Sequence, residues 1–183
     1  MLKKHNYDFV LGSMHNMLHA PDFSQFKWDA MTDDEINYFF AASLDEIDRI
    51  ADFPGVNSLA HINYPVRYIR RAGRDIGYER FLPKIIAIYK KIIAKGIALE
   101  CNTSGWHKKP IPEDTEKRTL PDIGLIRLYY ELGGRMITIG SDAHLKEFIG
   151  TGIEETLAEL KNIGFDQLTV FEGGKPRFIS IDI

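Results

Sequence analysis

Histidine and aspartate side chains follow three of the β-like runs in this sequence. One hydrophobic run stops at Gly140 and is followed by Asp142 and, after one alanine, His144. His15 ends the first run along the chain and His61 ends the second. Imidazole nitrogens and carboxylate oxygens are the ligands expected for zinc and related transition metals. A single such residue is more often a hydrogen-bonded histidine or a turn aspartate, but the repeated pattern favours a metal site.

Short β-like runs alternate with amphipathic helical segments along the chain. The runs that precede the polar residues are "YDFVLGSMH" (7–15), "VNSLAH" (56–61), "GIALECN" (96–102) and "RMITIGSDAH" (135–144). This alternation predicts an α/β fold with a parallel sheet. Because the carboxyl ends of parallel strands lie on one face, we expect the three histidines and Asp142 to converge there. A later pair of runs, 168–171 and 177–183, closes the chain.

Four helices are marked by apolar residues at helical spacing and by their end signals. The first begins at a capping box formed by Thr32 and Glu35. The second ends in a basic last turn followed by Gly96. The third stops at 133–134 and the fourth at Gly164. The apolar positions are Ile36, Phe39, Phe40, Leu44, Ile47 and Ile50; Phe81, Leu82, Ile85, Ile86, Tyr89, Ile92 and Ile93; Ile123, Ile126 and Tyr130; and Ile153, Leu157 and Leu160.

Length and composition are those of one globular domain, which we expect to span residues 1–183. The formal net charge of −3 gives no reason to expect nucleic acid or an anionic membrane as a partner. No apolar run approaches the roughly 20 residues of a membrane-spanning helix, and the first residues do not resemble a signal peptide. Cys101 is the single cysteine, so an internal disulfide is excluded and a cytoplasmic location is expected.

Other polar residues could contribute to the same face. Asn102 ends the third run, and Glu100 lies on the same side of that strand, whereas Cys101 should point the other way into the core. The basic run 67–74 is typical of a solvated face, yet it follows His61 and could reach an anionic substrate. The long loop after Asn102 carries basic residues that could bind phosphate. These basic loop residues are Lys108, Lys109, Lys117 and Arg118.

The roles of three further residues are less specific. His19 and Asp22 could line the rim of the active face, or they could belong to a loop that the aspartate stabilises. His107 is expected to be an ordinary loop residue.

The motifs "DFVLGSMH", "AHINYPVRY", "ALECNTSG" and "ITIGSDAH" resemble, in this order and spacing, the later motifs of the polymerase-and-histidinol-phosphatase (PHP) superfamily. The strongest resemblance is to its monofunctional histidinol-phosphatases, and it covers nearly the whole chain. It implies a distorted (β/α)7 barrel with a trinuclear centre of zinc, iron or manganese. It also implies hydrolysis of a phosphate monoester, in this subgroup L-histidinol phosphate.

The resemblance also implies roles for individual residues. His15 and His61 would bind one metal, Asp142 a second and His144 a third, and the last two would be the catalytic pair. Asn102 would line the substrate pocket. Independently of the resemblance, a basic side chain of the following loop, such as Arg118, is expected to clamp the phosphate.

One family feature is missing from the sequence. The family opens with a His-x-His motif and a bridging glutamate, and no His-x-His occurs in these 183 residues. Successive polar strand ends are about 40 residues apart, whereas a complete barrel takes about 250 residues. We therefore expect an α/β, partial (β/α)7 barrel that lacks the first strands and corresponds to the C-terminal two-thirds of the family barrel.

Three functions are consistent with these observations. The first is a metal-dependent histidinol-phosphatase. The second is a PHP phosphoesterase that acts on a different substrate, such as a phosphotyrosyl protein or a nucleotide. The third is a non-catalytic protein that retains part of the metal site. An open barrel edge would expose unpaired backbone groups, so association with a second copy through that edge is also expected.

Overall fold

A computed structural model describes residues 5–106 and 118–183 of the chain. The strands are β1 (Leu11–Gly12), β2 (Ser58–Leu59), β3 (Ala98–Asn102), β4 (Ile137–Gly140), β5 (Gln167–Glu172) and β6 (Lys175–Ser180). The helices are α1 (Asp33–Ile50), α2 (Tyr64–Arg71), α3 (Leu82–Lys95), α4 (Ile123–Glu131) and α5 (Ile153–Ile163). Short 3-10 helices span Phe23–Gln25, Trp28–Ala30 and Lys146–Phe148. No helix among these described residues is long and apolar enough to cross a membrane.

Strands β1 to β4 form one parallel sheet in the order β1-β2-β3-β4. The prediction of an α/β fold with a parallel sheet is confirmed. Each connection passes through helices, so the four carboxyl ends lie along one edge. The residues that follow β1, β2 and β4 are therefore brought to the same side of the molecule.

The first two strands are much shorter than the runs that predict them. The ladder around β1 is completed by a side chain, because the amide of Val10 donates to Asn57 Oδ1 at 2.8 Å. The amide of Asn57 donates in return to the carbonyl of Val10 at 2.9 Å. A polar side chain at the start of β2 thus replaces regular strand pairing.

The last two strands do not join the parallel sheet. β5 and β6 pair with each other as an antiparallel hairpin, while β5 packs against β4. The hairpin turn has Gly173 and Gly174 with φ of 58° and 72°, a conformation that glycine adopts without strain. Both turn amides donate to Asp8, to its side chain at 2.7 Å and to its carbonyl at 3.0 Å. The hairpin turn therefore lies beside the segment that leads into β1.

The helices follow the predicted signals, with one addition. Thr32 and Glu35 form the capping box of α1, and α3 ends at Gly96 with φ of 65°. The addition is helix α2, which contains the first part of the basic run 67–74. The sequence predicts a solvated face for this run. Pro65 stands in the first turn of α2, where the missing amide costs nothing.

One hydrophobic core lies between the helices and the sheet. Helix α1 turns Ile36, Phe40 and Leu44 into it, and each of these is fully or almost fully buried. Burial of one such side chain contributes about 1.5–3 kcal/mol, so the core holds the strands that carry the site. Cys101 belongs to this core, as its alternation with Glu100 predicts, and burial raises the pKa of its thiol.

Candidate metal and phosphate site

A cleft of about 470 Å³ opens at the carboxyl edge of the parallel sheet. His15 reaches it from the loop after β1, and Asp142 and His144 reach it from the loop after β4. His61 follows β2 and contacts His15 directly behind the cleft. The cleft is lined by His15, Asp22, Ser24, Tyr64, Tyr68, Asp142, His144, Leu145 and Phe148.

The two histidines that follow β1 and β2 face each other. His15 Nε2 lies 2.9 Å from His61 Nε2. On its other side, His61 Nδ1 lies 2.8 Å from Glu100 Oε2, and the amide of His61 donates to the same oxygen at 3.1 Å. Glu100 comes from the middle of β3 and is 6% exposed, so this partner of His61 is shielded from water.

This arrangement determines which nitrogen of His61 carries a proton. A carboxylate accepts hydrogen bonds, so Nδ1 of His61 is the protonated nitrogen. The lone pair of His61 Nε2 then points towards His15. A carboxylate behind a histidine, with the other ring nitrogen exposed to a ligand, is the arrangement that orients histidines towards metals.

Asp142 and His144 form a second pair at the cleft. Asp142 Oδ1 lies 3.6 Å from His144 Nε2. Asp142 has φ of 49°, a left-handed conformation that aspartate tolerates better than most residues. The His144 side chain is 80% exposed, so it stands at the mouth of the cleft, whereas Asp142 lies deeper.

The described donors fit a metal ion in part. They include imidazoles and carboxylates, which is the appropriate chemistry for zinc. However, in residues 5–106 and 118–183 no three His, Cys, Asp or Glu side chains are arranged to hold one ion. The described part of the chain therefore presents two pairs of donors at the sheet edge and does not assemble a full set around one point.

Asn102 and Arg118 do not line the cleft, although the sequence suggests that they contact substrate. Asn102 is 1% exposed, and its Oδ1 accepts hydrogen bonds from the amide and the hydroxyl of Ser104. It shapes the loop after β3. The guanidinium carbon of Arg118 lies 4.6 Å from the centre of the Trp106 ring, which is a cation–π contact.

Two residues that the sequence suggested only in general terms have specific buried partners. Glu100 is the buried partner of His61, and a charged residue within an apolar strand was its signal. Arg67 is 6% exposed and donates to the hydroxyl of Ser104 at 2.5 Å. Its Nη1 is buried without a hydrogen-bond partner among the described groups. Burial lowers the pKa of the Arg67 guanidinium, and the negative charge of Asp142 partly opposes that effect.

The basic run 67–74 is not the solvated face that its composition suggests. The side chain of Arg70 is 6% exposed and forms an ion pair with Asp122, with Nη2 2.7 Å from Oδ2. Arg74 forms an ion pair with Asp33 on α1. Nothing in the local sequence distinguishes Arg67 from these structural arginines. Its position six residues after His61 is the one indication that it belongs to the site.

Asp22 and two tyrosines, Tyr64 and Tyr68, form another part of the cleft lining. The ring of Tyr64 stacks on His15 with centroids 4.3 Å apart. Its hydroxyl lies 3.2 Å from Asp22 Oδ1 and 2.8 Å from the hydroxyl of Tyr68. Partial burial opposes ionisation of Asp22, but hydrogen bonds from Ser24 and Tyr64 hold the pKa of Asp22 below its usual range. Burial raises the pKa of Tyr64, so its phenol is neutral.

The other residues considered for the site differ in whether they line the cleft. Asp22 lines the cleft, so the rim reading applies to it. His19 has φ of 63° and does not line the cleft. The predictions for His107, Lys108, Lys109 and Lys117 fall outside the described residues.

The fold and the site define an α/β protein with imidazole and carboxylate groups gathered at the carboxyl edge of a parallel sheet. No family model matches the chain. It is 40% identical over 117 residues to a probable histidinol-phosphatase of Thermotoga maritima, covering 62% of this chain and 44% of that protein. It is 29% identical to a probable histidinol-phosphatase of Clostridium acetobutylicum, covering 87% of this chain and 59% of that protein.

Similarity extends to a histidinol-phosphatase of Lactococcus lactis, at 26% identity over 92% of this chain and 60% of that protein. The chain thus spans about half of the length of these curated relatives, and all three are hydrolases by name. A crystal structure of histidinol phosphate phosphatase from Lactococcus lactis superposes with a TM-score of 0.69 at 22% identity. The superposition covers 96% of this chain and 64% of that one, which is described as a complex with zinc, L-histidinol and phosphate.

A putative histidinol phosphatase from Listeria monocytogenes superposes with a TM-score of 0.54, also at 22% identity. That superposition covers 63% of this chain and 43% of the other. At these identities, the two superpositions show that the fold is shared.

Proposed function

We propose that this chain carries the site of a metal-dependent phosphomonoester hydrolase whose substrate is L-histidinol phosphate. One observation supports the proposal above all. The Nε2 atoms of His15 and His61 face each other at 2.9 Å, and Glu100 holds the opposite side of the His61 ring. Relatives named as histidinol-phosphatases, and a related fold described with zinc, L-histidinol and phosphate, support the choice of reaction and substrate.

The proposed metal ligands are the four residues that the sequence suggests. His15 and His61 would hold one ion, and Asp142 and His144 would contribute to others. Glu100 would either orient His61 or join the ligands. A divalent metal, which we propose to be zinc, iron or manganese in a multinuclear centre, supplies Lewis acidity and lowers the pKa of water.

The residues of the chain itself provide the rest of the chemistry. The carboxylate of Glu100 keeps the proton on His61 Nδ1, which leaves Nε2 available as a donor atom. Asp142 is catalytic in this proposal because it would lie against the reacting phosphate, and His144 would act beside it.

Arg67 is the stronger candidate for the phosphate clamp that the sequence suggests is Arg118. A buried guanidinium with an unpaired Nη1 is stabilised by an anion, and phosphate oxygens suit its planar fork. Ser104, which accepts from Arg67, is in turn held by Asn102. Asn102 would therefore act on the substrate through this loop, and Arg118 through its contact with Trp106.

Phosphate release from L-histidinol phosphate tests this function. The purified chain, supplied with Zn²⁺ or Mn²⁺, is expected to hydrolyse the ester, and EDTA is expected to abolish the reaction. Asp142→Asn is expected to lower turnover by about 100-fold or more, because it removes a charge at the reacting centre. The control is Asp29→Asn, which removes the same charge from an exposed position that does not line the cleft.

Two outcomes would contradict the proposal. One is activity that survives full chelation. The other is efficient hydrolysis of simple phosphomonoesters together with none of L-histidinol phosphate, which would favour a PHP phosphoesterase of different specificity.

A second candidate function is metal binding without catalysis. It is favoured by the observation that the described residues form donor pairs and no group of three. Metal analysis beside the assay separates the two functions, because bound zinc without phosphate release supports the second. In either case we expect fewer than three tightly bound ions for each chain.

We also propose that residues 1–183 form one domain of the PHP type, whose four parallel strands correspond to later strands of a distorted barrel. The superposition over 96% of this chain and 64% of the related structure supports this correspondence. A cytoplasmic location fits the single buried cysteine. We further propose that the protein associates with a second copy through the β1 edge. The proposed partner in the cleft is a small phosphate ester.

A further inference from the structure

We propose that Asp22 and the aromatic wall beside it form the subsite for a cationic leaving group, with Asp22 binding its ammonium. This inference rests on the proposed function and goes further, because it assigns recognition of the amino alcohol to residues that are not proposed metal ligands. Asp22, Tyr68 and Phe148 line the same cleft as His15 and Asp142. A ligand in this cleft can therefore touch both sets of residues.

The Asp22 carboxylate is held in place before any ligand arrives. Its Oδ1 accepts from the amide of Ser24 at 2.7 Å and from the hydroxyl of Tyr64 at 3.2 Å. Tyr64 is itself fixed by stacking on His15 and by Tyr68. A polar group that is already ordered binds a ligand without a further loss of conformational freedom.

The surroundings of Asp22 favour a cation. Its hydrogen-bond donors, Ser24 and Tyr64, are neutral groups. Within the described ranges 5–106 and 118–183, Asp22 forms no ion pair with a lysine or an arginine, and the one basic side chain within 4 Å is that of His15, whose Nδ1 lies 3.9 Å from Asp22 Oδ2. That distance is too long for a hydrogen bond, so orienting His15 is not the main role of this carboxylate. The side chain is 28% exposed and faces a ligand-sized opening.

The chemistry of the substrate matches this wall. L-histidinol carries an ammonium group separated from the ester oxygen by two carbon atoms, and an imidazole ring beyond it. Because Asp22 lies next to His15, an ammonium at Asp22 leaves the ester close to the proposed metal ligands. The ring of Tyr68 and the side chains of Leu145 and Phe148 offer apolar and aromatic surface for the imidazole.

Calorimetric binding of L-histidinol tests the subsite without requiring turnover. We expect Asp22→Asn to weaken binding by about ten-fold or more, since hydrogen bonds to charged groups are among the stronger ones. Asp29→Asn should bind L-histidinol as the unmodified protein does. N-acetyl-L-histidinol lacks the positive charge, so it should bind equally weakly to the unmodified protein and to Asp22→Asn.

Kinetics provide a second readout of the same claim. For Asp22→Asn, kcat/KM should fall about ten-fold more for L-histidinol phosphate than for phenyl phosphate, mainly through KM. The comparison of L-histidinol with N-acetyl-L-histidinol uses the unmodified protein, so it tests the subsite even if Asp22→Asn does not fold.

The failures of the two proposals differ. If the unmodified protein hydrolyses L-histidinol phosphate but binds N-acetyl-L-histidinol as tightly as L-histidinol, the subsite is wrong and the reaction stands. Equal losses for both esters in Asp22→Asn, with reduced metal content, would also overturn the subsite and assign Asp22 to the metal centre. If the unmodified protein neither binds L-histidinol nor hydrolyses its phosphate, both proposals fail.

Discussion

At the scale of single residues, the site depends on partners that surround the ligand atoms. His61 is held by a buried carboxylate, and Arg67 is buried with unused hydrogen-bonding capacity. Both features are costly for folding, because an ionised group loses hydration when it is buried. We therefore expect the protein to retain both groups for ligand binding rather than for stability.

Replacing the carboxylate behind His61 should weaken metal binding while the fold persists. Glu100→Gln keeps the size of the side chain but removes the charge that orients His61. We expect zinc affinity to fall about 10- to 100-fold, measured by titration against a competing chelator. Glu131→Gln, at the exposed end of α4, is the matched control. Unchanged affinity in Glu100→Gln would show that His61 is not a zinc ligand.

Arg67 should matter more for phosphate than for stability. Arg67→Met preserves most of the side-chain volume and removes a buried charge. The free energy of unfolding should therefore change by less than about 1 kcal/mol or increase, as when buried ions are replaced by apolar residues. Binding of inorganic phosphate should weaken about ten-fold or more. A variant that loses stability but keeps phosphate affinity would make Arg67 a structural residue.

At the scale of the elements, α2 is fixed to α4 by a buried ion pair. Arg70 donates to both oxygens of Asp122 at 2.9 and 2.7 Å, and the hydroxyl of Tyr78 donates to Asp122 at 2.8 Å. Burial by itself lowers the pKa of Arg70. The Asp122 carboxylate outweighs this effect and raises the pKa of Arg70, so the guanidinium stays charged. Because α2 also carries Tyr64 and Arg67, the pair positions the cleft as well as the helix.

Removing one member of this pair should be strongly destabilising. Asp122→Asn leaves the Arg70 charge buried without its partner, so we expect a loss of about 3–5 kcal/mol in the free energy of unfolding, measured with urea. Asp75→Asn removes the other carboxylate near Arg70, 3.3 Å away, but its side chain is 63% exposed. It should cost less than about 1 kcal/mol. Similar losses for the two variants would contradict this account of α2.

At the scale of the whole molecule, apolar side chains remain exposed around the edge of the sheet. β1 is the end strand of the parallel sheet, and Leu11 on it is 40% exposed. In the neighbouring hairpin, Phe178 and Ile179 are each 52% exposed. Exposed apolar groups next to an edge strand are the usual site at which chains associate.

The lateral edge of the sheet, formed by β1, should therefore support association with a second copy. We expect the weight-average mass from sedimentation to rise with protein concentration, and Leu11→Lys to shift the protein towards monomer. Tyr38→Lys is the control, because Tyr38 is 68% exposed on α1 and is not part of the sheet. A protein that is monomeric over the whole concentration range, with or without the substitution, would contradict this prediction.

The sequence by itself determined the features that depend on short stretches of chain. Apolar spacing and the capping box placed α1, Gly96 ended α3, and the β-like runs placed the strands that precede His15, His61 and Asp142. These signals are local, because hydrogen bonds within a helix and alternation along a strand involve residues a few positions apart.

Tertiary structure alone decided which polar groups meet. Glu100 reaches His61 across 39 positions of sequence, and Arg67 reaches Ser104 across 37. Neither contact has a local pattern, because each follows from the order β1-β2-β3-β4 and from the burial of one face of α2. The pairing of β5 with β6, by contrast, has a local cause, because two adjacent runs joined by a two-glycine turn pair with each other more readily than with the parallel sheet.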